Sequence, residues 1–164
     1  MTRRNFVGAL GALFAAHKAA AAADVKVPAP AGSVAKLDLP DNEWKKRLTS
    51  EQYAVLRHEA TEPPGSSPLN SEHRKGTFVC AGCAQPLFNS ATKFESGTGW
   101  PSFWQVLPHA VVTRADRSLM MERTEVLCAR CGGHLGHVFD DGPKPTGLRY
   151  CMNGLALNFR PASA

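Results

Sequence analysis

The stretch from Pro40 onward predicts a mainly β domain, antiparallel in its body, with short helices at its N-terminal side. Three observations carry this expectation. β-prone runs of three to six residues alternate with Gly, Pro, Asn and Asp turn signals from Thr77 to the end of the chain. Helix signals are confined to the residues just after Pro40, and a Cys-x-x-Cys pair occurs twice, each time behind a β-prone run. With 164 residues, 43% of them hydrophobic and 20% charged, and with 14 Gly and 12 Pro, the chain fits one globular domain with many turns and excludes a disordered tail protein.

Residues 1–23 open with Arg3-Arg4-Asn5-Phe6-Val7, continue through an apolar stretch to Ala16, and end in an alanine run that offers a small-residue cleavage site after Ala23. This layout resembles a signal peptide of the twin-arginine type, which implies export of a folded protein to the periplasm. Lys18 interrupts the apolar run well short of the roughly 20 residues that a spanning helix needs, so no stable membrane insertion is expected. The net charge of +5 falls to +2 once Arg3, Arg4 and Lys18 of the leader are set aside. An excess that small and that dispersed gives no reason to expect nucleic-acid binding. Residues 24–39, rich in Ala, Pro and Val without periodicity, are expected to form a flexible tether, and residues 40–163 the domain.

Within the domain, Asp41-Asn42-Glu43 is expected to cap a first short helix carrying Trp44 and Leu48. Thr49 and Gln52 have the spacing of a capping box for a second, in which Tyr53 and Leu56 share a face. Glu62-Pro63-Pro64-Gly65 ends the helical part. Strands are expected over 77–79, 86–88, 109–114, 124–127, 148–150 and 156–159.

Cys80-Ala81-Gly82-Cys83 and Cys128-Ala129-Arg130-Cys131-Gly132-Gly133 are two metal-knuckle sequences. Thiolates three residues apart converge on one ion, and small residues between and behind them let the chain turn back, so two knuckles complete a closed four-thiolate site for one structural Zn2+. Because such a site leaves no position open for water, a catalytic role for the metal is not expected. Two alternatives stand beside zinc: a pair of disulfides, and a thioredoxin-like redox pair, the latter without the βαβ context it needs.

Cys151 is left over. By itself a lone cysteine reads as a small buried hydrophobe, but Arg149 lies beside it, and the segment from Gly133 to Pro143 offers two imidazoles, His134 and His137, flanking Leu135 and Gly136. Imidazole and guanidinium groups favour thiolate, the nucleophilic form. The segment from Ser96 to Trp104 brings three aromatics around Pro101, as core anchors or as the wall of an apolar pocket.

Taken together, Glu-Pro-Pro at 62–64, the knuckles at 80 and 128, Gly-Thr-Gly-Trp-Pro-Ser-Phe at 97–103, His-Leu-Gly-His-Val-Phe at 134–139 and Arg-Tyr-Cys-Met-Asn at 149–153 resemble the methionine-R-sulfoxide reductase B family in order and spacing. The resemblance covers residue 41 to about 161. It implies two antiparallel sheets with peripheral helices, a structural zinc held by Cys80, Cys83, Cys128 and Cys131 away from the active site, and reduction of methionine-R-sulfoxide in oxidised proteins. It implies Cys151 as nucleophile, His137 as acid, and His134 and Asn153 as groups orienting the sulfoxide oxygen. Trp100 and Phe139 are expected to seat the substrate methyl group, with Arg149 and Asp141 in support. The sequence departs from many relatives at Gly65 to Leu69, and Thr98 stands where many relatives carry a second, resolving cysteine. A sulfenic acid on Cys151 is therefore expected to wait for an outside thiol, small or thioredoxin-like. A partner-binding zinc module without activity would leave Cys151 and both histidines without a role. A thiol-disulfide oxidoreductase would need a partner cysteine for Cys151.

Overall fold

The computed structural model describes residues 34–118 and 121–163. The signal-peptide reading of 1–23 and the tether reading of 24–33 lie outside the described residues. The last part of the expected tether is corrected. Leu37 and Leu39 pack against the core, and the second knuckle takes two hydrogen bonds, from Leu37 N–H to the Arg130 carbonyl and from Lys36 Nζ to the Ala129 carbonyl, each at 2.8 Å. Two leucines spaced two apart in an extended stretch give it one apolar face, and that face is half-buried against the core.

Helix α1 (Asp41–Arg47) and helix α2 (Ser50–His58) follow. The expected side-chain cap of α1 is not formed: Pro40 occupies the N-cap, and Asp41 instead pairs with Lys45 and accepts from the Tyr53 hydroxyl. Acidic residues in the first turn and Lys45, Lys46 and Arg47 in the last still match the helix dipole. The capping box of α2 is formed in both directions, Gln52 N–H to Thr49 Oγ1 at 3.2 Å and Thr49 N–H to Gln52 Oε1 at 3.3 Å. Trp44, Leu48, Val55 and Leu56 are buried, so the helix pair is anchored by its apolar faces.

Among the described residues, nine strands form two antiparallel sheets. The smaller has the order β2 (Pro86–Asn89), β1 (Gly76–Cys80), β9 (Leu157–Pro161). The larger has the order β3 (Lys93–Phe94), β4 (Ser102–Phe103), β8 (Arg149–Met152), β7 (His134–Phe139), β6 (Arg123–Cys128), β5 (Val111–Asp116). The sheets meet on an aromatic cluster with Phe88 stacked on Phe103 at 4.2 Å between ring centres and Phe78 edge-on to Phe103 at 4.9 Å. All three rings are fully buried, and removing any one is worth about 3–5 kcal/mol.

The six expected strands exist, the third displaced. His109 has a left-handed φ of 57°, so it belongs to the turn, and the strand runs instead over Val111–Asp116. Three strands were not expected. β3 and β4 are two residues each, too short for any period, and β7 carries Gly136 at its centre, a residue that reads as a strand breaker.

Candidate active site and metal centre

Cys151 sits near the middle of the larger sheet, where the register sets it opposite Ser102 of β4 on one side and His137 of β7 on the other. Gly136 makes the second approach feasible. Its φ is 153°, and a Cβ there would run into the Cys151 carbonyl oxygen. With Gly136 the thiol and the imidazole open into one cavity of about 130 Å³, which Trp100, Phe139, Asn153, Arg123 and Thr61 help to line.

His137 Nε2 is 2.8 Å from Asp116 Oδ2. Asp116 also accepts the Ser118 N–H at 2.9 Å and an Arg123 N–H at 2.6 Å, and these contacts hold its carboxyl far below the usual carboxylate range. Burial pushes the His137 imidazole below its ordinary value, while Asp116 works in the opposite direction. Two residues before the thiol on β8, Arg149 binds Asp141 through two parallel hydrogen bonds of 2.8 Å, and its guanidinium lies over the Phe139 ring at 4.4 Å. The pairing with Asp141 first, and the neighbouring Cys151 as well, hold Arg149 firmly protonated.

The other expected site residues divide. Asn153 reaches the cavity, but its amide is already engaged, accepting Glu62 N–H at 3.0 Å and donating to the Leu135 carbonyl at 3.3 Å. His134 does not line the cavity. It is buried behind His137 with ring centres 5.5 Å apart, its Nδ1 is 2.7 Å from Glu125 Oε1, and its Nε2 has no partner among the described residues. Trp100 donates its indole N–H to the Glu62 carbonyl at 3.1 Å. Thr98 Oγ1 lies 3.8 Å from Cys151 Sγ and continues through Ser96 to Ser102 by hydroxyl contacts of 2.8 and 2.7 Å.

The four knuckle sulfurs lie within 4.8 Å of one another. Cys80 and Cys131 are 3.7 Å apart and Cys83 and Cys128 3.5 Å apart, near the ~3.8 Å edge of a tetrahedron with bonds of about 2.3 Å to its centre and far from the S–S bond length of about 2.05 Å. The donor set therefore fits a thiophilic metal ion. Cys80 ends β1 and Cys128 ends β6, so the cluster joins the smaller sheet to the larger. None of the four cysteines lines the Cys151 cavity.

Asp116, Arg123, Glu125 and Thr61 were not singled out in the sequence. Asp116 and Arg123 are register partners at the loop end of the β5–β6 hairpin, a relation visible only once the strands are paired. Glu125 did leave a signal: a single carboxylate inside a β-prone run that turns out fully buried.

Comparison with known proteins agrees with this geometry. The SelR domain matches residues 48–161. The peptide methionine sulfoxide reductase MsrB of Leptospira interrogans is 56% identical over 121 residues, which is 73% of this chain and 92% of that protein. Its namesake in Methanosarcina barkeri is 57% identical over 121 residues, covering 73% of this chain and 85% of the relative. The one in Agrobacterium fabrum is 51% identical over 127 residues, covering 77% and 94%. Carrying the SelR domain over most of its length, the chain belongs to the MsrB family of peptide methionine sulfoxide reductases.

Proposed function

We propose that this protein reduces methionine-R-sulfoxide in oxidised proteins through Cys151. The observation that carries this reading is the Cys151–His137 pair, brought face to face by the β7–β8 register at an apolar-walled cavity in a chain of this family. The Cys151 thiolate attacks the sulfoxide sulfur, and His137, whose protonated form is a strengthened acid because burial disfavours its charge, delivers a proton to the oxygen. The oxygen passes to Cys151, methionine leaves reduced by two electrons, and Cys151 is left as a sulfenic acid. Two equivalents of an outside thiol then restore it, through a mixed disulfide and release of water.

Trp100 and Phe139 supply the seat for the methyl group. Asn153, at the cavity wall, fixes the loop around Glu62, and His134 acts from behind by holding Glu125 against β7. The metal of the four-thiolate cluster is proposed to be zinc in a structural role, tying β1 to β6 and so fixing the two sheets. Action in the periplasm is proposed on the leader alone, and fusing residues 1–23 to a folded reporter tests it. The reductase reading is tested with the two separated epimers of dabsylated methionine sulfoxide and dithiothreitol. Consumption of the R epimer in strong preference to the S epimer is the expected result. Failure to reduce either would favour the partner-binding module.

A further inference from the structure

Glu62 takes no part in the chemistry above, yet it touches two walls of the Cys151 cavity and the turn that follows them. Its carboxylate accepts the N–H groups of Gly154 at 2.6 Å and Leu155 at 2.8 Å. Its own N–H donates to Asn153 Oδ1 at 3.0 Å, and its carbonyl accepts the indole N–H of Trp100 at 3.1 Å. The residue is only 4% exposed, and its hydrogen-bond partners include no Lys, Arg or His. A carboxyl group buried without a cation costs desolvation, and what these contacts give in return is geometry: they tie residue 62 to the turn after Asn153.

The surroundings are built to the same end. A Cβ on Gly154 would collide with Ser67 and crowd Glu62 Oε1 at 3.2 Å, so glycine leaves room for Ser67 and the carboxyl group to pack against this turn. Gly99, at a φ of 92°, could not carry a Cβ either, since it would lie 2.8 Å from Pro64 Cβ, and its carbonyl accepts Gly65 N–H at 2.7 Å. Residues 62–65 are thereby wedged between the loop that carries Trp100 and the turn that follows Asn153.

We infer that Glu62 is the positioning residue that sets the epimer preference of the site. The R and S forms of the substrate differ by an exchange of methyl and oxygen about one sulfur. A site reads that difference only if its apolar wall is fixed relative to its polar groups, and Glu62 is the described residue bonded to both Trp100 and Asn153. When that clasp loosens, the wall shifts and the wrong epimer is admitted. The inference rests on the reductase reading above and assigns its stereochemical control to a residue outside the reacting groups.

The test uses the full, metal-loaded chain and measures kcat and KM for each epimer. Glu62→Gln keeps the volume but offers one acceptor and an amide donor where two backbone donors converge. The R-epimer KM should rise about tenfold with kcat changed less, and the R-over-S preference should fall about tenfold. Trp100→Phe removes the indole N–H that Glu62 holds, so its effect on the preference should not add to that of Glu62→Gln. Glu62→Asp keeps the carboxyl group but shortens its reach. It carries the same expectation, and it decides the matter if the Gln variant precipitates. Unchanged preference, or an equal loss of kcat on both epimers, would overturn the inference. A wild-type protein that reduces neither epimer would instead remove the reductase reading.

Discussion

Cys151 is the residue on which the proposed chemistry turns, and Cys151→Ser separates chemistry from structure. A hydroxyl is a far weaker nucleophile at neutral pH, so the variant should lose turnover while circular dichroism and metal content stay at wild-type values. His137 is tested by pH. Its imidazole lies below the ordinary histidine range through burial, and Asp116 partly restores it. Because the acid form is the working form, single-turnover release of methionine should decline as pH rises through a value under about 6.5. Asp116→Asn removes the group that raises His137, so the decline should move to lower pH, and an unmoved limb would exclude His137 as the acid. His137→Ala should cost about 10²–10⁴-fold in the same assay. Stability follows the same two groups. Both His137 and Asp116 are depressed in the folded state, which therefore binds fewer protons than the unfolded chain. Their contribution is fully present at neutral pH and is lost as pH falls, first below about 6.5 and again below about 3.9, a trend that thermal melts across pH would record.

At the scale of elements, each β-ended knuckle contributes half of the metal centre, so losing one thiolate should release the ion from both. Cys83→Ser and Cys128→Ser are expected to lose metal and unfold or precipitate, since structural zinc contributes on the order of 10 kcal/mol to small metal-organised folds. A variant that melts at the wild-type temperature would make the cluster dispensable. The capping box of α2 is a smaller effect: Thr49→Ala should cost about 1 kcal/mol in denaturant unfolding. These are also the elements that the sequence made legible, because their signals are local. A Thr-x-x-Gln spacing, a Cys-x-x-Cys turn and a run such as Thr77-Phe78-Val79 each carry their structure within a few residues. β7 was hidden for the opposite reason. Gly136 looks like a break until β8 is laid against it, and only then does it become the place where the two backbones approach. The Asp116–Arg123 pair and the clasp of Glu62 were invisible on the same ground, each being a contact between segments that sequence order keeps apart.

Across the whole molecule the five cysteines divide between two roles. Four are gathered where β1 and β6 end, and the fifth, on β8, opens into the separate cavity, with Ser102 of β4 as a register partner and the Thr98 hydroxyl 3.8 Å from its sulfur. With every other thiol of the chain committed to the cluster, oxidised Cys151 has no free cysteine within the chain to attack it. Thr98 Oγ1 can hydrogen-bond to the oxidised sulfur, but a hydroxyl does not displace hydroxide from a sulfenic acid as a thiolate does. The intermediate should therefore persist until a thiol arrives from outside. One equivalent of R-sulfoxide, added to the reduced, metal-loaded protein without reductant, should release one methionine and leave one sulfenic acid that dimedone traps at Cys151, the metal being retained. A later addition of dithiothreitol to untrapped protein should return all five cysteines to the reduced or metal-bound state. The alternative outcome is a disulfide between Cys151 and a knuckle cysteine with stoichiometric metal release. It would require the two sites to communicate through the β8–β7–β6 stack, and it would overturn both the external regeneration and the purely structural role of the metal.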